Sequence, residues 1–455
     1  MNQKGLTQGD VKSTLLRFTL PFLAASLLQF LYGAADLIIV GRFADTAGVS
    51  AVSTGSQIMM AVTGLIMGLA SGGTVIIGQY WGARRREDVS ATIGTMFTFF
   101  TILAVAMTAL VTLCTNLFVD LMRVPAAAVP QARQYIFICG CGVLFITGYN
   151  MVSGILRGLG DSKNPMIFVF IACIANIIGD LILVGPLQMG AAGAAIATVA
   201  AQGLSLLLSV FVLRKKDFPF DFRRESFRID GKKLGTLVKI GTPVAIQNVL
   251  VSLSFLIIGS TVNNMGLAES AAVGASGRIS DFCMMGPISF FSSISAMTAQ
   301  NIGAGQDDRA KQTLRWGIAF SLVFGAVMFT LIQLFPREAI GIIRQDSAVM
   351  EAGALYLRAF SFDVILVCFV FCLNGFFGGC GRTGFTMVNS LVSTFAVRVP
   401  VTLFVSGLPG ATLFHIGLAA PLASALQIVI QLVYLKLGRW KGGSVVEKLP
   451  EGEAV

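Results

Sequence analysis

Leu31-Tyr32-Gly33-Ala34-Ala35-Asp36-Leu37-Ile38-Ile39-Val40-Gly41-Arg42 closes an apolar run that opens near Leu15, and it carries a single carboxylate, Asp36. A charge inside such a run costs roughly 2.5–3.5 kcal/mol on insertion scales, so it requires a partner or a task. Gln29, Tyr32 and Asp36 stand at i, i+3 and i+7 and share one helical face. The competing reading makes Asp36 a helix-end anchor beside Arg42. Four apolar residues between Asp36 and Gly41 count against it.

The rest of the chain has the same character. Its 455 residues are 55% hydrophobic and 12% charged, with a mean hydropathy of +0.80, whereas soluble domains carry about 25% charged residues. Apolar runs long enough to cross a bilayer recur throughout, at about 15–40, 51–78, 92–119, 132–156, 165–185, 190–213, 236–262, 270–298, 313–335, 350–375, 385–407 and 412–437. This is the pattern of an all-α membrane protein with twelve spans. No small-residue cleavage site follows the first run, which therefore reads as a retained span and not a signal peptide.

Charge sets the expected orientation. Lys4, Lys12, Arg17, Arg84, Arg85, Arg86, Arg157 and Lys163 fall on one side, with the run from Arg214 to Lys239. Arg309, Lys311, Arg315, Arg382, Lys436, Arg439, Lys441 and Lys448 join them, for 25 of the 33 basic residues. Arg42, Arg123, Arg133, Arg337, Arg344 and Arg358 fall on the other side, and Arg278 and Arg398 lie within spans. The positive-inside rule makes the rich side cytoplasmic, with both termini there. A net charge of +10 spread over such loops, without interleaved stacking aromatics, does not suggest nucleic acid. The eight cysteines form no CxxC pair and read as small packed hydrophobes. His415 is the only histidine, so a metal centre or other cofactor is not expected.

An internal repeat organises the spans. Leu16-Arg17-Phe18-Thr19-Leu20-Pro21 recurs as Val238-Lys239-Ile240-Gly241-Thr242-Pro243. Gly78-Gln79-Tyr80-Trp81-Gly82-Ala83 recurs as Ala299-Gln300-Asn301-Ile302-Gly303-Ala304, and Arg157-Gly158-Leu159-Gly160-Asp161 as Gly378-Gly379-Cys380-Gly381-Arg382. The offset stays at 221–222. Six spans per half place both halves in the same orientation. The expected organisation is a first lobe at 1–213, a connector at 214–235, a second lobe at 236–437 and a tail at 438–455. The glycines around Trp81 read as tight turns needing positive φ.

Asp36 with Gly41-Arg42, the Gln79 to Ala83 turn, Arg157-Gly158-Leu159-Gly160-Asp161, Asn176 with Asp180, and their echoes resemble the multidrug and toxic compound extrusion (MATE) family, in the style of its bacterial NorM and DinF branches. The resemblance spans about Leu15 to Leu437. It implies two pseudo-symmetric six-helix bundles that export amphipathic, often cationic compounds by antiport, rocking between inward- and outward-facing states. It also implies a polar pocket in the first lobe at Tyr135, Asn176, Asp180 and Thr198. Where relatives place an asparagine late in span 4, this chain has Ser153, with Asn150 one turn earlier.

Counting 1.5 Å per residue brings Asp36 and Asp180 to similar depth, about 20 and 15 residues into outward-running spans. Two buried carboxylates within reach resist being charged together, through desolvation and mutual repulsion. A proton held between them can be released when the site opens to the cytoplasm. A lone structural aspartate needs a basic neighbour, and span 5 has none between Pro165 and Pro186. In the second lobe Arg278 and Asp281 read as an intrahelical ion pair, and Asp363 and Arg398 as polar candidates. Sodium-coupled NorM relatives carry acids in spans 7 and 10. Span 7 here has Gln247 and Asn248, which favours H⁺ over Na⁺ as the coupling ion. Pro287, Pro400 and Pro421 are expected to interrupt spans 8, 11 and 12.

The alternative function on the same fold is a flippase for lipid-linked sugars or other anionic substrates. Such a cavity needs several basic residues, against only Arg278 and Arg398 beside four intramembrane aspartates. A membrane enzyme lacks a nucleophile–base pair, and a channel lacks a ringed filter sequence. The expected protein is a monomer in the cytoplasmic membrane, with the bilayer and small amphipathic molecules as its partners. In a cysteine-free background, single cysteines at Lys216 and Lys232 are expected to react only from the cytoplasm. Those at Gln188 and Gly266 are expected to react only from outside. Labelling of Lys216→Cys by an impermeant reagent in intact cells would reverse the orientation.

Overall fold

The computed structural model describes residues 5–215 and 218–446, which include no β-strand. Lys4, Lys216 and Lys448, three of the basic residues used above, lie outside the described residues, as does the tail beyond 446. Among the described residues, twelve helices are long and apolar enough to cross a membrane. They are α1 (Val11–Phe43), α2 (Thr46–Gly82), α3 (Arg86–Leu113), α4 (Ala126–Gly158), α5 (Lys163–Leu183) and α6 (Gly190–Arg214), then α7 (Gly231–Asn263), α8 (Leu267–Gly303), α9 (Asp307–Leu334), α10 (Ser347–Gly379), α11 (Thr383–Ser406) and α12 (Leu413–Lys436).

Two of the helices start on a capping carboxylate. Asp45 opens α2, its Oδ1 accepting the Gly48 N–H at 2.7 Å, and that N–H, then the Gln131 amide, hold the Asp45 carboxyl below the usual carboxylate range. Asp346 opens α10 by accepting from the Ala348 and Val349 N–H groups at 3.0 and 3.2 Å. Each carboxylate also meets the positive end of its helix. The third span stops earlier than its apolar run: α3 ends at Leu113, and a separate short helix, Thr115–Leu121, follows Cys114.

The three span-breaking prolines behave differently from one another. Pro287 sits inside α8, which stays one helix. Pro400 follows a π-helical turn at Thr394–Arg398, where the missing proline N–H lets the ladder change register. In α12 the break falls at Leu418, and Pro421 sits in the first turn after it, where its N–H would have no helical acceptor. The turn around Trp81 also differs from expectation. Gly78 and Gly82 stay inside α2, and the left-handed residue is Arg84, with φ 59°. Its repeat counterpart is Gly305 at 71°, just as Gly160 and Gly381 pair at 89° and 77°.

Two compact units divide the chain: Leu20–Ala245, and Met1–Thr19 with Ile246–Val455. The cuts fall inside α1 and α7, beside Pro21 and Pro243, and so differ from boundaries drawn at the connector. In the unit Leu20–Ala245, α2 and α4 are the most buried helices, and in the other unit α8 and α10. Both pairs meet in the same way. A Cβ on Gly154 or Gly158 of α4 would stand 3.1 Å from the Ala70 carbonyl oxygen and 2.8 Å from that of Thr74. The Thr74 hydroxyl donates to the Gly154 carbonyl at 2.9 Å. On α10, a Cβ at Gly375 or Gly379 would stand 2.6 Å from the Phe291 carbonyl oxygen and 2.5 Å from that of Ser295. All of these positions are related by the offset of the sequence repeat. Helices in lipid gain little from apolar burial, so such backbone approach carries much of their packing.

Loop segments close one end of each unit. The connector lays Phe220 and Phe227 against Phe97, each with ring centroids 5.7 Å apart, and the Thr98 hydroxyl donates to the Phe227 carbonyl at 2.8 Å. Lys233 Nζ meets Asp88 at 2.8 Å. In the other unit the Leu6 N–H donates to Gln300 Oε1 at 3.1 Å, and Arg309 donates to the carbonyls of Gly9 and Gln8 at 2.7 and 3.0 Å.

Gly158→Leu and Gly379→Leu are expected to lower thermal stability in detergent by at least the roughly 1–3 kcal/mol of overpacking. Gly259→Leu on α7, where nothing lies within 4 Å of a new Cβ, is expected to melt near the parent. Equal melting of all three variants would contradict the glycine contact.

Candidate functional site

The polar groups of the unit Leu20–Ala245 gather where α1, α4, α5 and α6 meet. Asp180 on α5 is fully buried and Asp36 on α1 is 7% exposed. The two carboxyls lie within electrostatic reach of each other. No N–H or hydroxyl donor reaches either oxygen of Asp180, nor Oδ1 of Asp36. Each acid therefore has the other acid as its main polar neighbour.

Local sequence explains the convergence. Asn176 and Asp180 stand four apart on α5 and turn inward together. One turn earlier, Cys173 Sγ lies 3.7 Å from the Leu28 carbonyl, seating α5 on α1. The Thr198 hydroxyl on α6 ties the helices: it lies 3.3 Å from Tyr32 Oη and accepts from Asn176 Nδ2 at 3.3 Å. Tyr135 on α4 is buried, and its hydroxyl lies 3.1 Å from Ser56 Oγ on α2. Its ring covers Gly55, where a Cβ would overlap it. Cys139, one turn along α4, interacts with Tyr135, Asp36 and Tyr32.

The structure thus brings together Tyr32, Asp36, Tyr135, Asn176, Asp180 and Thr198. It leaves three other candidates apart. Gln29 is exposed. Asn150 turns back to its own helix, donating to the Ile146 carbonyl at 2.8 Å. Ser153 is buried, and no hydrogen bond links it to the acids. Gly55, Ser56 and Cys139 escape a sequence reading, because small residues and cysteines are common in membrane helices and nothing local marks them. Their only signal is the spacing of Tyr135 and Cys139 on one face.

In the unit that holds α8 to α12, Asp363 is buried and accepts from Ser424 Oγ at 2.5 Å. The Arg398 guanidinium lies 4.1 Å from the Phe255 ring centroid. Gln247 is half-buried and Asn248 exposed. Arg278 and Asp281 do not form the expected ion pair. Both are exposed on α8, too far apart for an N–O contact but with the carboxyl in electrostatic reach of the guanidinium.

Two such carboxyls without donors would repel at short range if both were charged, an arrangement whose chemistry suits one proton or one small cation between them. Nothing in the cluster resembles a nucleophile with its base.

Comparison with known proteins agrees with this architecture. The MatE family model matches residues 21–182 and again 243–404, repeating at the spacing of the internal duplication. A probable multidrug resistance protein, YpnP of Bacillus subtilis, is 26% identical over 97% of this chain and 98% of its own length. A probable multidrug resistance protein NorM of Thermotoga maritima is 24% identical, covering 96% of this chain and 95% of the relative. The outward-facing structure of a multidrug resistance MATE family transporter superposes with a TM-score of 0.90 at 20% identity, over 97% of this chain and 99% of that one. The chain therefore belongs to the MatE family of multidrug and toxic compound extrusion transporters, and as a member of that family it is a membrane transporter and not an enzyme.

Proposed function

We propose that this transporter exports amphipathic, often cationic compounds in exchange for protons, and that Asp36 and Asp180 carry the proton between them. The observation that carries the reading is the facing of two buried carboxyls with no donor on either oxygen of Asp180. With one proton shared, the pair bears a single charge. With none, two charges repel across a medium that solvates neither well. Protonation state and helix arrangement are then linked, and a ligand that favours one arrangement shifts the proton's affinity. Tyr32, Asn176 and Thr198 position α1, α5 and α6 around the acids. The basic side of the chain faces the cytoplasm in this reading, with both termini inside.

Asp36→Asn and Asp180→Asn are each expected to uncouple efflux from an imposed pH gradient in proteoliposomes, with the protein still inserted and folded. The amide keeps the shape and gives up the proton. The double variant is expected to lose little more than either single one, because removing one charge already relieves the other. Asp281→Asn, exposed on α8, is expected to transport like the parent. Transport driven by a sodium gradient alone, with a pH gradient ineffective, would replace the proton with Na⁺. Full proton coupling in both single variants would remove the pair from the mechanism.

A further inference from the structure

The unit that holds α8 to α12 contains a column of buried polar groups separate from the acid pair. On α12, Ser424, Gln427 and Gln431 stand at i, i+3 and i+7, all buried. Opposite them, α11 buries Thr386, Asn389, Ser390 and Ser393. From α10, Asp363 meets Ser424, and Asn374 Oδ1 accepts from Gln431 Nε2 at 2.8 Å. Asn389 Nδ2 donates to the Gln427 backbone carbonyl at 3.1 Å. Asp363 and Asn374 are eleven residues apart, so the column is about 16 Å long.

Part of this column is unpaired. The α11 hydroxyls mostly return to their own helix, Thr386 to the Thr383 carbonyl and Ser393 to the Asn389 carbonyl, each at 2.9 Å. Asn389 Oδ1, Gln427 Nε2 and Gln431 Oε1 have no protein partner, although their residues are at most 7% exposed. Each such group costs about 1–3 kcal/mol when left dry. The set holds two acceptors and one donor. A bare cation wants oxygens alone, whereas water donates and accepts, and typically makes about three bonds to groups of this kind. The helix wall is also irregular here, since the π-helical turn of α11 begins at Thr394, one residue past Ser393.

The column has a lid. Phe385 stacks on Tyr434 with ring centroids 3.7 Å apart, and Phe377 stands edge-on to both at 5.2 and 5.4 Å. This aromatic layer lies at the end of the unit that carries the 380–382 turn.

We propose that α10, α11 and α12 enclose a hydrated passage, in which a short chain of water molecules bound by Asn389, Gln427 and Gln431 connects Asp363 to the end of the unit at the 380–382 turn, with the Phe385–Tyr434 stack as its lid. The passage gives Asp363 an aqueous route of its own, independent of Asp36 and Asp180 and of which ion drives transport. Among the described residues, Arg398 on α11 and the Tyr356 phenol and Cys368 thiol on α10 are the charged and titratable groups in electrostatic reach of that aspartate.

The test uses the full chain in nanodiscs, where reagent reaches both faces and orientation does not enter. Ser424→Cys, Gln427→Cys and Gln431→Cys are made singly without the native cysteines and treated with 2-aminoethyl methanethiosulfonate. Val429→Cys and Leu432→Cys, at exposed apolar positions of the same helix, serve as comparison. Modification is expected to be fastest at 431, then 427, then 424, each about tenfold or more above the comparison sites. Tyr434→Ala is expected to accelerate all three. Rates no faster than at Val429 and Leu432, with and without Tyr434→Ala, would overturn the passage. Gln427→Leu in the unmodified chain gives a second readout. A hydrated passage predicts a melting temperature no higher than the parent's. A rise would overturn it, because removing an unpaired amide from a dry core is stabilising.

Discussion

Backbone contact between α2 and α4, repeated between α8 and α10, is the constraint on which the other positions depend. Lipid offers helices no hydrophobic reward for association, so each lobe needs places where two backbones come close enough for dispersion and hydroxyl–carbonyl bonds. Gly154 and Gly158 supply them in one unit, Gly375 and Gly379 in the other. With α4 held against α2, Tyr135 lies over Gly55 and reaches Ser56. Cys139 then lies within electrostatic reach of Asp36, and Thr198 joins α6 to α1 and α5. The acid site rests on a scaffold whose own residues carry no charge.

That scaffold is duplicated, while its polar contents are not. The repeat offset carries Asp36 onto Ile257 or Ile258, and Asp180 onto Val401 or Thr402, so the second copy has no facing acids. In return, Gln427 and Gln431 fall opposite Ser205 or Leu206 and Ser209 or Val210 of the first copy. One unit places two carboxyls within electrostatic reach of each other in an apolar medium. The other uses amides and hydroxyls around a single aspartate bonded to Ser424.

Much of this was legible in the residues. Twelve apolar runs and a constant offset between motifs state the fold, because a bilayer leaves the chain few other options. Asp36 and Asp180 stand out because an isolated acid in such a run is expensive. What the sequence hides is contact across helices. Arg157-Gly158-Leu159-Gly160-Asp161 reads as a turn, and its Gly160 is one, but Gly158 serves packing. Arg278 and Asp281 have the spacing of a pair without the geometry, and Gln29 shares a helical face with Asp36 yet stays exposed. The α12 row of Ser424, Gln427 and Gln431 has helical spacing but is not among the residues singled out from the sequence. Its meaning depends on which of its atoms find partners, and only the assembled helices decide that. The division of α1 and α7 beside Pro21 and Pro243 is likewise a property of packing.

The central claim is that Asp36 and Asp180 together hold one exchangeable proton. Proton release on substrate binding measures this directly, with purified protein in weakly buffered detergent solution and a pH-indicating dye. The account predicts about one proton released per bound cationic substrate molecule in the parent, and none in the Asp36→Asn/Asp180→Asn double variant when substrate still binds. Saturating binding without proton release in the parent, or the same release in the double variant, would contradict it.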